Sequence, residues 1–147
     1  MQIKYVEYRD KEFVMSIDKH VNDIQFQNRV NTKSGYVMWE DDCPVGLMAY
    51  CILWDNLPFL NFIYVKEEYR RNRFASNAMK EWEEDMKNQG YKMVLISTQV
   101  DESAQCFYRK LGYIDCGGLL FNDTPFEQAM EMFMRKIIAQ NLDVVFV

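Results

Sequence analysis

Apolar residues recur along this chain with two different periods, and the points where the period changes divide it into elements. Ile3 to Tyr8 reads as a strand, and Asp10 stands where it would cap a helix whose apolar residues are Phe13, Val14 and Ile17. Val21 to Val30, with Ile24 and Phe26, adds a second helix. After Gly35 the spacing turns strand-like: Tyr36 to Glu40, a turn at Asp41-Asp42, then a long β-rich run from Val45 to Trp54. That order predicts a hairpin, and Phe59 to Val65, introduced by Leu57-Pro58, extends it into an antiparallel meander. From Phe74 to Gln89 strong helix formers dominate, while Ala75, Ala78, Met79, Trp82 and Met86 keep one side apolar; Gly90 ends the helix. Lys92 to Thr98 is a buried strand, Asp101 to Leu111 a helix stopped by Gly112, and Tyr113 to Leu120 and Ala129 to Lys136 are two further strands. The apolar tail from Ile137 to Val147 is open to two readings, pairing with another subunit as a homodimer or packing on its own domain.

Length and composition fit this pattern to one domain over residues 1–147, with 49% hydrophobic residues and 10 Phe, 9 Tyr and 10 Met to fill a core. The longest apolar run, Pro44 to Trp54, contains Gly46 and is shorter than the roughly 20 residues a membrane helix needs. Residues Met1 to Asp10 mix Lys4, Glu7, Arg9 and Asp10 with apolar residues, unlike a signal peptide, so no membrane association and a cytoplasmic location are expected. Cys43, Cys51, Cys106 and Cys116 lack CxxC spacing, and His20 is the only histidine. Reduced structural thiols and no metal site follow as expectations. A net charge of −5 argues against nucleic acid and suits a cationic acceptor.

Candidate chemistry concentrates where the strand ending at Val65 gives way to the helix beginning near Phe74. A strand, a short basic loop carrying Arg70, Arg71 and Arg73, and a helix N-terminus together offer free N–H groups and positive charge to a phosphate. The same residues are equally consistent with a solvated basic turn.

The stretch Val65-Lys-Glu-Glu-Tyr-Arg-Arg-Asn-Arg-Phe-Ala-Ser76 resembles the central motif of GNAT acetyltransferases, Gln/Arg-x-x-Gly-x-Gly/Ala, with Arg70 first, Ala75 last and Arg73 where the family usually has glycine. Downstream, Asp101-Glu-Ser-Ala-Gln-Cys-Phe-Tyr-Arg-Lys-Leu-Gly-Tyr113 resembles the family's Asn-x-x-Ala-x-x-Phe-Tyr-x-x-x-Gly-Phe/Tyr segment, with Asp101 in place of the usual Asn. Pro44-Val-Gly46 resembles the family's strand entry, so the likeness runs from Tyr36 to Tyr113. The resemblance implies an α/β (α+β) fold: a mixed, mostly antiparallel sheet of about seven strands, flanked by helices and splayed at the central strand Phe59 to Val65. It implies acetyl-CoA as co-substrate, with Ile63, Tyr64 and Val65 along the pantetheine, and Arg70, Arg71, Asn72, Arg73, Phe74, Ala75 and Ser76 around the pyrophosphate. Asp101 is a further cofactor position, and Tyr108 the acid that supports the departing thiolate.

Transfer to an amine also needs that amine neutral, which for a lysine-like group at pH 7 costs roughly 3.4 pKa units, about 5 kcal/mol. Many family members place a glutamate on the strand before the phosphate loop; here Phe59, Asn61 and Tyr64 stand there, and no base is named by the sequence. Trp54, Asp55 and Asn61 are candidate acceptor-side residues, although Asp55 also reads as a turn residue, Glu40-Asp41-Asp42 as a solvated hairpin tip, and His20 as a residue without a catalytic role. Tyr108 beside Phe107 is equally intelligible as a core aromatic. The predicted activity is N-acetyl transfer from acetyl-CoA to a primary amine of a small molecule or protein by direct attack, with Cys106 and Cys116 not needed as acyl carriers. The rival reading is an acyl-CoA-binding module without transfer activity.

Overall fold

The computed structural model describes residues 1–140, so the predicted apolar terminus beyond residue 140 lies outside the described residues. Strand β1 (Gln2–Tyr5) pairs antiparallel with β2 (Gly35–Glu40), Gln2 opposite Trp39 and Tyr5 opposite Tyr36. It ends short of the predicted Tyr8 because Tyr8–Asp10 wind into a 3-10 turn, whose Asp10 carboxylate accepts a hydrogen bond from the Glu7 N–H at 2.8 Å. Asp10 thus serves the residues before α1 (Lys11–Ile17) and does not cap that helix with its side chain, as the sequence had suggested. Helix α2 (Asp23–Asn31) begins two residues later than predicted, after a reciprocal cap: Asn22 accepts from the Gln25 N–H at 2.8 Å, and the Gln25 side chain accepts from the Asn22 N–H at 2.9 Å.

The expected hairpin forms between β2 and β3 (Cys43–Leu53), antiparallel, with Asp41 in the left-handed region at φ 52°. Then come β4 (Leu57–Val65), α3 (Phe74–Asn88), β5 (Met93–Gln99), α4 (Ala104–Lys110), β6 (Ile114–Leu119) and β7 (Glu131–Ile137). Seven strands make one sheet in the order β1-β2-β3-β4-β5-β7-β6. The pairs β5–β7 and β6–β7 are antiparallel, and β4 meets β5 in parallel at Phe59 opposite Leu95. Helix α4 starts three residues after the predicted Asp101, because the Glu102 N–H bonds to the Gln99 carbonyl in a turn. Gly90 and Gly112 stop their helices at φ 95° and 94°, conformations that cost glycine nothing and an L side chain strain.

Two compact units share this chain: Met1–Cys51 with Leu60–Trp82, and Ile52–Phe59 with the described residues from Glu83 onward. The first has a core of Val6, Val14, Phe26, Val37 and Leu47, so α1 and α2 lay their apolar faces on the β2–β3 hairpin. In the second, Val94, Ile96 and Met134 are fully buried along β5 and β7, each adding roughly 1.5–3 kcal/mol of burial. The second unit also buries Glu83. Its carboxylate accepts from the Tyr113 hydroxyl at 2.9 Å and from the Lys136 ammonium at 2.6 Å, tying α3 to the chain around β6 and to β7.

Candidate active site

In the first unit, β4 delivers the chain into the predicted phosphate loop. Gly46 makes room for it: a Cβ there would stand 2.8 Å from the Tyr64 carbonyl oxygen and 2.7 Å from the Met38 sulfur. The Lys66 N–H bonds to the Val45 carbonyl at 2.8 Å, fixing where β4 ends. A 3-10 turn over Glu67–Tyr69 follows, then Arg70 in extended conformation, Arg71 at φ 66° and Arg73 at φ 65°. The backbone N–H groups of Arg71, Asn72 and Arg73 make no hydrogen bond among the described residues. The first N–H groups of α3 have no carbonyl within the helix to accept them. Arg71 and Arg73 are exposed around them, and Phe74 anchors the helix start in the core with its ring edge-on to Tyr69 at 6.0 Å.

Arg70 does something the sequence did not indicate. Its Nε donates to the Val65 carbonyl at 2.8 Å, and its guanidinium lies 5.4 Å from the centre of the Tyr64 ring. One face of the fork therefore braces the loop on β4, and one acceptor site of the Val65 carbonyl, expected to face pantetheine, is taken. The two terminal nitrogens remain to meet an anion.

Arg73 adopts the left-handed backbone that glycine would take without penalty. Such a conformation costs an L residue roughly 1–2 kcal/mol, while glycine's extra chain entropy costs roughly 0.5–1 kcal/mol. Arg73→Gly is therefore expected to raise stability by up to about 1 kcal/mol, read as a higher urea midpoint. A lower midpoint would show that the arginine side chain holds the loop.

In the second unit, Trp54 and Asp55 occupy the two central positions of the β3–β4 turn, at φ 52° and 62°, closed by an Asn56 N–H to Leu53 carbonyl bond of 3.1 Å. Two left-handed residues in succession are the signature of a type I′ hairpin, normally Asn-Gly. Asp55 is thus a turn residue, and a bulky tryptophan held at positive φ and largely exposed is an outlier of the kind found at working surfaces.

Tyr108 lies buried on α4, its ring edge-on to Phe107 at 5.2 Å and to Tyr113 at 5.8 Å. Among the described residues its hydroxyl has no hydrogen-bond partner. Burial first, and the Glu102 carboxylate second, push its pKa up to about 12. The phenol is therefore held neutral, as a donor. Asp101 sits exposed in the turn before α4. Partial desolvation, opposed by Arg135 and reinforced by Asp115, raises the Cys116 thiol, although the residue as a whole is exposed, and a raised thiol does not suit an acyl carrier. All four cysteines are free thiols, but three are exposed and only Cys51 is part-buried, so the expected structural role fits that one alone. No three potential metal ligands converge among the described residues, and no helix there is long and apolar enough to cross a membrane.

A cavity of about 480 Å³ opens in the first unit, and of its wall the sequence singles out His20, Cys51 and Asn61. Asn61, expected on the acceptor side, lines it and accepts a hydrogen bond from the Cys51 thiol at 3.3 Å. Burial raises that thiol and the Asn61 contact opposes the rise. His20 is at the rim; its backbone N–H donates to Asp18 at 3.2 Å. Asp18 and Arg29 form an ion pair at 3.3 Å in the wall, eleven residues apart, with Gln25, Asn28 and Ser34 beside them. Only the α1–α2 turn brings these together, and neither residue has a local sequence signal.

Basic loop, helix N-terminus and buried phenol follow one order along the chain, each inside the segment that resembles a known motif. A model of the acetyltransferase (GNAT) family matches residues 4–113, and the chain belongs to that family. No curated protein matches it. Among solved structures it is similar to an aminoglycoside 6'-N-acetyltransferase complexed with coenzyme A, with 15% identity, TM-score 0.76, and 97% of this chain and 100% of that one covered. It is similar also to Ard1 from Thermoplasma volcanium, with 19% identity, TM-score 0.79, and 95% and 98% covered. The ribosomal-protein-S18-alanine N-acetyltransferase from Escherichia coli has 12% identity, TM-score 0.76, and 99% of each chain covered. At such identities the likeness is one of fold.

Proposed function

We propose that the protein transfers an acetyl group from acetyl-CoA to a primary amine by direct attack. The observation that carries this reading is the loop Arg70–Ser76, which follows β4 and the Glu67–Tyr69 turn and opens α3 with three arginines and with N–H groups that make no hydrogen bond among the described residues. Its backbone N–H groups and the terminal nitrogens of Arg70 take the pyrophosphate, and main-chain groups of Ile63 and Tyr64 run beside the pantetheine. The acceptor nitrogen, neutral, forms a bond to the thioester carbonyl carbon. The C–S bond then breaks, the amine's proton passes to water, and Tyr108 donates a hydrogen bond to the departing thiolate. The first-unit cavity, with Asn61 in its wall, takes the acceptor.

Calorimetric titration with acetyl-CoA is expected to give saturable heat and a rise in melting temperature. No heat and no thermal shift at millimolar ligand would sink the proposal. Binding without release of free CoA across an amine panel would instead define an acyl-CoA-binding module.

A further inference from the structure

We infer that the first-unit cavity selects an amine that also carries a carboxylate, an amino acid or a short peptide, through the guanidinium of Arg29. This rests on the reading of that cavity as the acceptor site.

Arg29 is mostly buried, yet among the described residues its one ion-pair contact is the 3.3 Å approach of Nη2 to Asp18. Nη1 is buried without a hydrogen-bond partner among the described residues. A guanidinium has five N–H donors in a planar fork, and leaving some of them buried and unpaired is costly. Asp18 does not relieve this: its Oδ2 meets Nη2 alone, and its Oδ1 accepts the His20 N–H. The arginine is nevertheless held in place: its stem lies across Gly35, where an added Cβ would stand 2.6 Å from Cδ and 2.7 Å from Cγ. The position is fixed while the charge is under-used.

The cavity itself indicates what completes the fork. Asp18 and Arg29 cancel in charge, and the rest of the wall is uncharged amide, hydroxyl and apolar surface, with His20 at the rim. A polycation finds no surplus of carboxylates there. An acceptor-only group of planar, two-oxygen geometry matches the guanidinium, which lines the cavity with one long contact to Asp18 as its competing partner. The volume, near the lower end of the usual range for small-molecule sites, suits an amino acid or dipeptide.

Matched pairs test this on the whole chain: leucine against leucinamide, and alanyl-leucine against its amide. Binding is read by calorimetry and transfer by CoA release. The carboxylates are expected to bind the wild type at least tenfold more tightly than the amides. Asp18→Asn frees the guanidinium from its counter-ion and should tighten carboxylate binding several-fold, which a merely structural pair would not do. Arg29→Gln alone strands Asp18 and risks misfolding, so Asp18→Asn/Arg29→Gln is the companion variant; there the carboxylate preference should vanish. Equal binding of acid and amide by the wild type, or a preference that survives the double variant, would overturn the inference. Absence of CoA release with every amine, while the carboxylate preference in binding persists, would instead overturn the transferase reading and leave the ligand class standing.

Discussion

Tyr108→Phe is expected to lower turnover by about 10- to 100-fold while leaving acetyl-CoA affinity and thermal stability close to wild type. A hydrogen bond to a charged partner contributes roughly 1.5–3 kcal/mol, which is the barrier increase that factor corresponds to. Stability should hold because the phenol's hydroxyl has no hydrogen-bond partner among the described residues, and phenylalanine keeps the edge-on packing against Phe107 and Tyr113. The pH profile carries a second expectation. A thiol titrates near 8.5, and burial pushes Tyr108 up to about 12, so full proton transfer is uphill by about 3.5 units, near 5 kcal/mol. In the proposed reaction the tyrosine therefore acts as a donor and keeps its proton. Activity should therefore rise with pH as the amine loses its proton, with no falling limb from Tyr108 below about pH 11. A falling limb near pH 9 that disappears in Tyr108→Phe would mean that the phenol ionises during the reaction. Unchanged turnover in the variant would remove its assigned role.

The largest expected loss of stability belongs to Glu83. Glu83→Ala leaves the Lys136 ammonium without its 2.6 Å partner and the buried Tyr113 hydroxyl without its acceptor. Breaking a buried pair from one side costs roughly 3–5 kcal/mol, and because the Lys136 side chain is 28% exposed the lower end applies, about 3 kcal/mol. For a chain of this size that corresponds to a fall in melting temperature of about 6–12 °C by calorimetry. Glu83→Gln, which still accepts from Tyr113, should lose roughly half as much. A shift below about 2 °C in the alanine variant would show that water replaces the carboxylate and that the network does not hold β7 to α3.

What the sequence disclosed was what neighbouring residues decide among themselves. The hairpin at Asp41-Asp42, the one-sided apolar stripe of α3 and the glycine stops at Gly90 and Gly112 depend on a few consecutive positions, and each appears where it was expected. The strand-loop-helix junction between β4 and α3 was legible for the same reason, since strand end, basic turn and helix start lie close together in sequence. Residues brought together from afar were not. Glu83 reads as one more helix former, and its two partners lie 30 and 53 residues away. Arg29 and Asp18 face one cavity only because α1 and α2 fold back over the hairpin. The sequence around Arg70 indicates only its charge, whereas its Nε is committed to the backbone at Val65. Motif position gives a side chain's address, not what it touches.

The β3–β4 turn has a consequence for watching this protein at work. Of its three tryptophans, Trp82 is fully buried and Trp39 is part-buried, while Trp54 is 67% exposed at the tip of the hairpin. One indole in water and one sealed in the core emit at different wavelengths, and a soluble quencher reaches the first far more readily than the second. The strained turn thereby equips the chain with its own optical gauge: anything that settles on the hairpin tip should shift Trp54, while the light from Trp82 reports whether the interior stays closed.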